Sequence, residues 1–163
     1  MEYINLGTSG LKVSRICLGM MTYGSPKWRP WVLDKSASRP FIRKAIEAGI
    51  NFFDTAYIYQ NGDSERFLGE VLSEYPRESY FLSTKFYAPR GIPIRQAFEE
   101  QLERCRTEYF DFYLLHGMDE SFIDLYMNQE FIDFLNEEKA SGRIRYIGFS
   151  SHAAPATLRR FLK

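Results

Sequence analysis

The stretch Asn51-Phe52-Phe53-Asp54-Thr55-Ala56-Tyr57-Ile58-Tyr59 begins as a short apolar run and breaks into polar residues at its C-terminal end. Two later segments repeat the pattern: Tyr80-Phe81-Leu82 runs into Ser83-Thr84-Lys85, and Phe110 to Leu115 runs into His116. An acid, a phenol, an amine and an imidazole therefore stand at successive strand ends. In a barrel of parallel strands those ends share one face, where catalytic side chains gather. Asp54, Tyr59, Lys85 and His116, far apart in the chain, are expected to meet there as a proton-transfer set.

On either side of these segments, apolar runs alternate with stripes of helical period. Residues 2–6, the turn Gly7-Thr8-Ser9-Gly10 and residues 11–13 predict a hairpin, followed by a first strand over 15–19. A helix is expected over 38–48, with Phe41, Ile42, Ala45 and Ile46 inward and Gly49 as its stop signal. Strands are expected at 50–54, 80–84, 110–115 and 144–149, and further helices at 64–73, 94–105 and 131–141. Strand starts recur roughly every thirty residues, the footprint of a βαβ unit. The fold class is therefore α/β, read as the N-terminal portion of a (β/α)8 barrel with about five parallel strands. The segment 23–35, with Trp28, Trp31, Pro26 and Pro30, breaks the rhythm and is expected to be a loop, either folded over the barrel rim or lining a pocket.

The chain has 163 residues, 45% hydrophobic and 17% aromatic, enough to bury one core, so residues 1–163 are taken as one partial barrel domain. With 21 basic and 21 acidic residues the formal charge is zero, which argues against nucleic acid or an anionic membrane as the main partner. Cys17 and Cys105 form no Cys-x-x-Cys spacing, which fits a reducing compartment, and no metal site is expected. The N-terminus lacks a basic segment followed by an apolar one, and no apolar run nears bilayer length, so a cytoplasmic location is expected.

Residues 49–69, with Asp54-Thr55-Ala56, Tyr59, Glu65 and Leu68-Gly69 in order, resemble the first signature of the aldo-keto reductases. Ser83-Thr84-Lys85 and Asp111-Phe112-Tyr113-Leu114-Leu115-His116 resemble that family's next landmarks. The segment QLERCRTEYFDFYLLHGMDESF at 101–122, together with Ile144-Arg145-Tyr146-Ile147-Gly148-Phe149-Ser150, is similar to the bacterial branch that carries an iron-sulphur module after the barrel. The resemblance implies reduction of an aldehyde or ketone with NADPH, or NADH in its place. Any iron-sulphur cluster would lie in a C-terminal region outside this chain.

The same resemblance assigns the roles. Tyr59 is the general acid, Lys85 tunes it, Asp54 anchors the lysine and His116 directs the substrate carbonyl. The chemistry is reasonable for these residue types. A free phenol, with a pKa of about 10, holds its proton too firmly at neutral pH, and a nearby ammonium would make it more acidic. Tyr57 has the same chemistry, but the family places its acid five residues after the aspartate, which selects Tyr59. Ser150 and Ser151 stand where the family has Ser-Asn against the nicotinamide carboxamide. Gly19 and Met20 correspond to positions beside the nicotinamide and substrate. A hydroxyl replaces one amide hydrogen bond but not both, which makes Ser150 a better cofactor ligand than Ser151. His152 is expected near the last helix or the cofactor's surroundings, outside proton transfer.

A complete barrel takes about 250 residues, and this chain ends inside what reads as its fifth helix. The family's later strands bring the residue that stacks on the nicotinamide and the loop that holds the adenosine phosphate. The expectation is thus a piece with a complete tetrad and an incomplete cofactor site, inactive by itself. The alternative is a non-catalytic half-barrel that serves as an interaction or assembly module, prone to self-association through open sheet edges.

Overall fold

The computed structural model describes residues 1–161. Strands β1 (Tyr3–Asn5) and β2 (Lys12–Ser14) pair antiparallel, Ile4 opposite Val13. Leu6 N–H closes the hairpin onto Leu11 O at 2.9 Å. The hairpin sits at the N-terminal ends of the sheet: Ser14 N–H donates to Asn51 Oδ1 at 2.7 Å, and the Tyr146 hydroxyl donates to Ser9 O at 2.9 Å.

Five strands form one parallel sheet in sequential order: β3 (Leu18–Gly19), β6 (Phe52–Asp54), β7 (Phe81–Phe86), β8 (Phe110–Leu115) and β9 (Ile144–Phe149). The intervening β4 (Tyr23–Gly24) and β5 (Leu33–Asp34) pair only with each other. Sequential order with right-handed crossovers places the connecting helices on one side of the sheet. They are α1 (Lys35–Glu47), α2 (Asp63–Leu72), α3 (Ile94–Cys105), the single turn α4 (Ile123–Tyr126), α5 (Gln129–Ala140) and α6 (Pro155–Phe161). The core lies between sheet and helices, where Ile42, Phe53, Phe67, Leu82, Phe98 and Ile144 are each 0% exposed. On the opposite, inner face, Phe52, Phe112 and Tyr146 form a ladder across the strands, with ring centroids 5.1 and 5.4 Å apart.

Helices α2 and α3 cross closely because Gly69 lacks a side chain. A Cβ there would collide with the backbone carbonyl oxygen of Arg104. That contact brings α3 against the back of β7, which matters for the site.

Four expectations are corrected. The segment 23–35 is more ordered than a loop, since β4 and β5 pair in parallel. Helix α1 begins three residues before Ser38, at Lys35, because Asp34 caps it by accepting the Ala37 N–H at 2.8 Å; Pro40 lies within the helix and masks that start in the sequence. Phe41 is 57% exposed rather than inward, because Ser38 and Ile42 occupy the face turned to the sheet. The first barrel strand is also shorter than expected, covering only Leu18–Gly19, since Arg15 N–H is engaged by Glu2 O in the hairpin.

Candidate active site at the strand ends

Parallel register sets the site. Asp54 on β6 lies opposite Gly19 on one side and Ser83 on the other, and Lys85 on β7 lies opposite Leu114 on β8. Side chains alternate along a strand, so Ser83 and Lys85 share the face that carries Asp54. There the Lys85 ammonium donates to Asp54 Oδ2 and, at 2.7 Å, to Thr55 O, while the Ser83 hydroxyl donates to Asp54 Oδ1 at 2.9 Å. The Lys85 side chain is only 8% exposed, and that of Asp54 is 27% exposed. The lysine lies in a site that excludes most water, with a carboxylate and a carbonyl both facing its amine.

Tyr59 enters from the loop after β6. The residues that follow it, Gln60, Asn61 and Gly62, all have positive φ, at 53°, 54° and 90°. Left-handed backbone at two non-glycine residues costs of order 1–3 kcal/mol each unless surrounding contacts hold it. Gln60 supplies those contacts: its Oε1 accepts Ser25 N–H at 2.7 Å and its Nε2 donates to Met21 O at 3.1 Å. The turn presents the Tyr59 ring to the strand ends, with Lys85 Nζ 5.2 Å from its centroid and the His116 ring 5.7 Å away at 89°. The Tyr59 hydroxyl has no hydrogen-bond partner among the described residues.

The electrostatics of Tyr59 differ from expectation. Its pKa is raised above the ordinary phenol value, by burial first and by the Asp54 charge second. The ammonium that was expected to acidify the phenol is paired with Asp54, and the Asp54 charge adds to the burial that disfavours the phenolate. In this arrangement the phenol holds its proton throughout the neutral range.

His116 follows β8, its N–H donating to Phe86 O at 2.8 Å and its carbonyl accepting the Tyr126 hydroxyl. Burial lowers its pKa to about 4, the Lys85 ammonium pushes the same way, Asp54 opposes and His152 adds slightly to the lowering. The imidazole is neutral at pH 7. Its Nδ1 is buried without a partner among the described residues, which leaves Nε2 as the nitrogen that can carry a proton into the cleft.

The four tetrad residues are thus brought together, while the expected cofactor residues lie at or just past the C-terminal ends of the edge strands β3 and β9. Gly19 is exposed, and a Cβ built there meets no atom within 4 Å. Met20 is 0% exposed; its N–H donates to Asp54 O at 2.8 Å and its carbonyl accepts the Ser64 hydroxyl. Ser150 Oγ accepts Gly117 N–H at 3.0 Å and keeps its own proton to donate. The Ser151 hydroxyl is used twice, donating to Met118 O and accepting Ala153 N–H at 3.0 Å. His152 is exposed.

Sequence reasoning missed several supports of this site. Ser83 was detectable, since it stands two residues before Lys85 on the same strand face. Tyr57, passed over as the acid, plays a structural part instead, its hydroxyl donating to Glu100 Oε2, 43 residues away, at 2.8 Å. No local signal reveals such a partner.

The chain matches the Aldo/keto reductase family over residues 15–162. It is 37% identical over 180 residues to the versiconal hemiacetal acetate reductase of Aspergillus parasiticus, an alignment covering 94% of this chain and 52% of that protein. Among solved structures, it superimposes on the aldo-keto reductase AKR11C1 of Bacillus halodurans (holo form) with a TM-score of 0.80 at 33% identity, covering 99% of this chain and 54% of that one. An aldo-keto reductase of Klebsiella pneumoniae solved in complex with NADPH matches with a TM-score of 0.71 at 26% identity, covering 93% and 51%. The chain spans about half the length of the curated relatives it matches. No helix among the described residues is long and apolar enough to cross a membrane. From the five-stranded part of a (β/α)8 barrel and a family match running nearly its whole length, we conclude that the chain belongs to the aldo/keto reductase family.

Proposed function

We propose that this chain, as partial barrel domain 1–163, carries the proton-transfer half of an NADPH-dependent carbonyl reductase acting on an aldehyde or ketone. The observation that carries the proposal is the Tyr59 phenol, unbonded among the described residues, set between a buried Lys85 and a neutral His116. A substrate oxygen placed there would accept a hydrogen bond from His116 Nε2 and a proton from Tyr59. NADPH, when bound, supplies the hydride. As the phenolate forms, its charge falls beside the Lys85 ammonium, which Asp54 keeps from moving away. A protonated phenol with an ammonium at hand is a usable acid even with a raised resting pKa, because the ammonium acts on the charge that develops.

Cofactor contacts follow from what each edge residue has free. Gly19 offers open space beside Asp54 for a flat ring, and Ser150 has a proton to donate to a carboxamide oxygen. Ser151 would have to give up its contacts with Met118 and Ala153, and Met20 acts through its backbone. NADPH is preferred to NADH on the strength of the Klebsiella relative. An iron-sulphur module, as in the branch that residues 101–122 resemble, would follow the barrel and draw its ligands from outside this chain. The two free thiols suit a reducing, cytoplasmic setting.

Hydride transfer requires the nicotinamide within about 3 to 3.5 Å of the carbonyl carbon, and held orientation is worth roughly 7 to 11 kcal/mol of barrier. Ser150 and Gly19 hold one end of the ring only. The 163 residues alone are therefore proposed to bind NADPH weakly and to turn over little. Titration of the purified chain with NADPH, followed by cofactor fluorescence and then by addition of a simple aldehyde, tests this. Micromolar binding with steady turnover would mean that self-association through β3 or β9 completes the site. Joining the chain to the C-terminal half of AKR11C1 tests the reaction itself, and failure of that barrel to reduce any aldehyde or ketone with NADPH would refute it.

A further inference from the structure

Behind the sheet, away from the cleft, Glu65 of α2, Thr84 of β7, Gln101 of α3 and Tyr113 of β8 are each 0% exposed. Glu65 Oε1 accepts from the Thr84 hydroxyl and from Gln101 Nε2, both at 2.7 Å, and its Oε2 accepts from Arg104 at 3.2 Å. The two protons of Gln101 Nε2 are shared among Glu65, Thr84 Oγ1 at 2.9 Å and the backbone carbonyl of Lys85 at 3.2 Å, while its Oε1 accepts the Tyr113 hydroxyl at 2.7 Å. The Glu65 carboxylate fixes which way the amide points, because a flipped Gln101 would turn its oxygen toward a negative charge.

The circuit closes on the active site from two sides. Arg104 donates to Glu100 at 2.7 Å, Glu100 accepts the Tyr57 hydroxyl at 2.8 Å, and Tyr57 N–H donates to the same Lys85 carbonyl at 3.0 Å. The Lys85 carbonyl is thus held by Gln101 from the helix and by Tyr57 from the loop that carries Tyr59 two residues later. Apolar side chains would fill this interior at lower desolvation cost, so stability alone is a poor reason for a buried carboxylate and amide here.

We infer that Gln101, oriented by Glu65 and Tyr113, is a positioning residue that sets Lys85 relative to Tyr59 and His116 by clamping the Lys85 peptide. This rests on the proposed reading of the tetrad only for its catalytic consequence. The geometric part stands on the circuit.

The test uses His116, because the chain has two histidines and the other, His152, is exposed and serves as an internal control. Burial first, then Lys85 and also His152, lower the His116 titration and Asp54 raises it, while Tyr59 and Tyr87 present rings to it. In Gln101→Met the Lys85 peptide loses its helix-side clamp. NMR titration of the 163-residue chain should then show the His116 midpoint rising by about half a unit, a roughly threefold change in proton affinity, with His152 unmoved. Tyr113→Phe, which frees the amide without removing it, should shift His116 the same way by less, and it also provides the test should Gln101→Met fail to fold. Leu135→Ala, a core change on α5, should lower the melting temperature without moving His116. An unchanged His116 midpoint in both circuit variants would overturn the inference. Failure of the tetrad reading would instead show as turnover that survives Tyr59→Phe, which leaves the His116 result standing.

Discussion

The centre of the sheet and its edges solve the same problem to different degrees. On and just past the ends of β6, β7 and β8, three residues of the tetrad are backed by dedicated partners: Asp54 by Ser83, Lys85 by Asp54 and Thr55, and His116 by Phe86 and Tyr126. The working atoms of the tetrad, the Tyr59 hydroxyl and His116 Nε2, are nevertheless unspent. At the edges the balance is reversed, for the Ser151 hydroxyl is committed to Met118 O and Ala153 N–H and Gly19 offers space without a functional group. A strand with neighbours on both sides can hold a reactive group in place and leave it free. Past the end of β9, Ser151 spends its hydroxyl on holding the loops together and Ser150 alone keeps a proton to offer.

The sharpest way to break this contrast is at the phenol. In any form of the protein that reduces carbonyls, Tyr59→Phe should lower turnover by about 10²- to 10⁴-fold, the range for removal of a positioned acid, with NADPH affinity unchanged. Tyr57→Phe should leave the chemistry largely intact and cost about 1.5 kcal/mol of stability, since what it loses is one hydrogen bond to the Glu100 carboxylate. Steady-state kinetics with urea unfolding of both variants checks the pair. Equal losses of turnover would mean that the acid is misassigned.

The ion pair gives a smaller, two-sided effect. Lys85→Met removes the charge that offsets a developing phenolate and should slow turnover more than Asp54→Asn, in which Lys85 keeps the Thr55 carbonyl at 2.7 Å. Stability should rank the other way. Asp54→Asn leaves an ammonium only 8% exposed without its counter-charge, at a cost approaching 3 kcal/mol, whereas the carboxylate left by Lys85→Met is 27% exposed and can take up water. If one variant proves worse on both measures, the division of labour between the two residues is wrong.

How legible this was depended on distance along the chain. The runs ending at Asp54, Lys85 and His116 announce strands and site together, because an apolar stretch that turns polar at one end is a local pattern. Gly69, needed for the close α2–α3 crossing, was visible only within a resembled signature. The start of α1 was hidden because Pro40 looks like a boundary while Asp34, the actual cap, sits in a segment that looks like a loop. The circuit behind Lys85 did leave a trace. Gln101 lies on the same helical stripe as Ala97, Phe98 and Leu102, a polar residue facing a core, but nothing local says that Glu65 and Tyr113 wait there for it. The direction of the Tyr59 shift was out of reach for a similar reason. The pairing of Lys85 with Asp54 was expected, but spacing does not say how deeply the phenol is buried, and burial is the first cause of the shift.

The smallest expected effect lies at the edge and separates two neighbouring hydroxyls. Ser150 accepts Gly117 N–H and still has a proton to offer, so Ser150→Ala should weaken NADPH binding by the worth of one neutral hydrogen bond, about 0.5–1.5 kcal/mol, or roughly two- to tenfold. Ser151→Ala removes a group whose donor and acceptor are both committed, to Met118 O and Ala153 N–H. It should leave NADPH affinity nearly unchanged and loosen the turn that leads into α6, visible as faster amide exchange at Ala153. Cofactor fluorescence titration of the two variants, in a barrel that binds NADPH measurably, decides between them. A larger loss of affinity from Ser151→Ala would show that the turn reopens when the cofactor arrives and that its hydroxyl, despite its resting partners, is the one that meets the carboxamide.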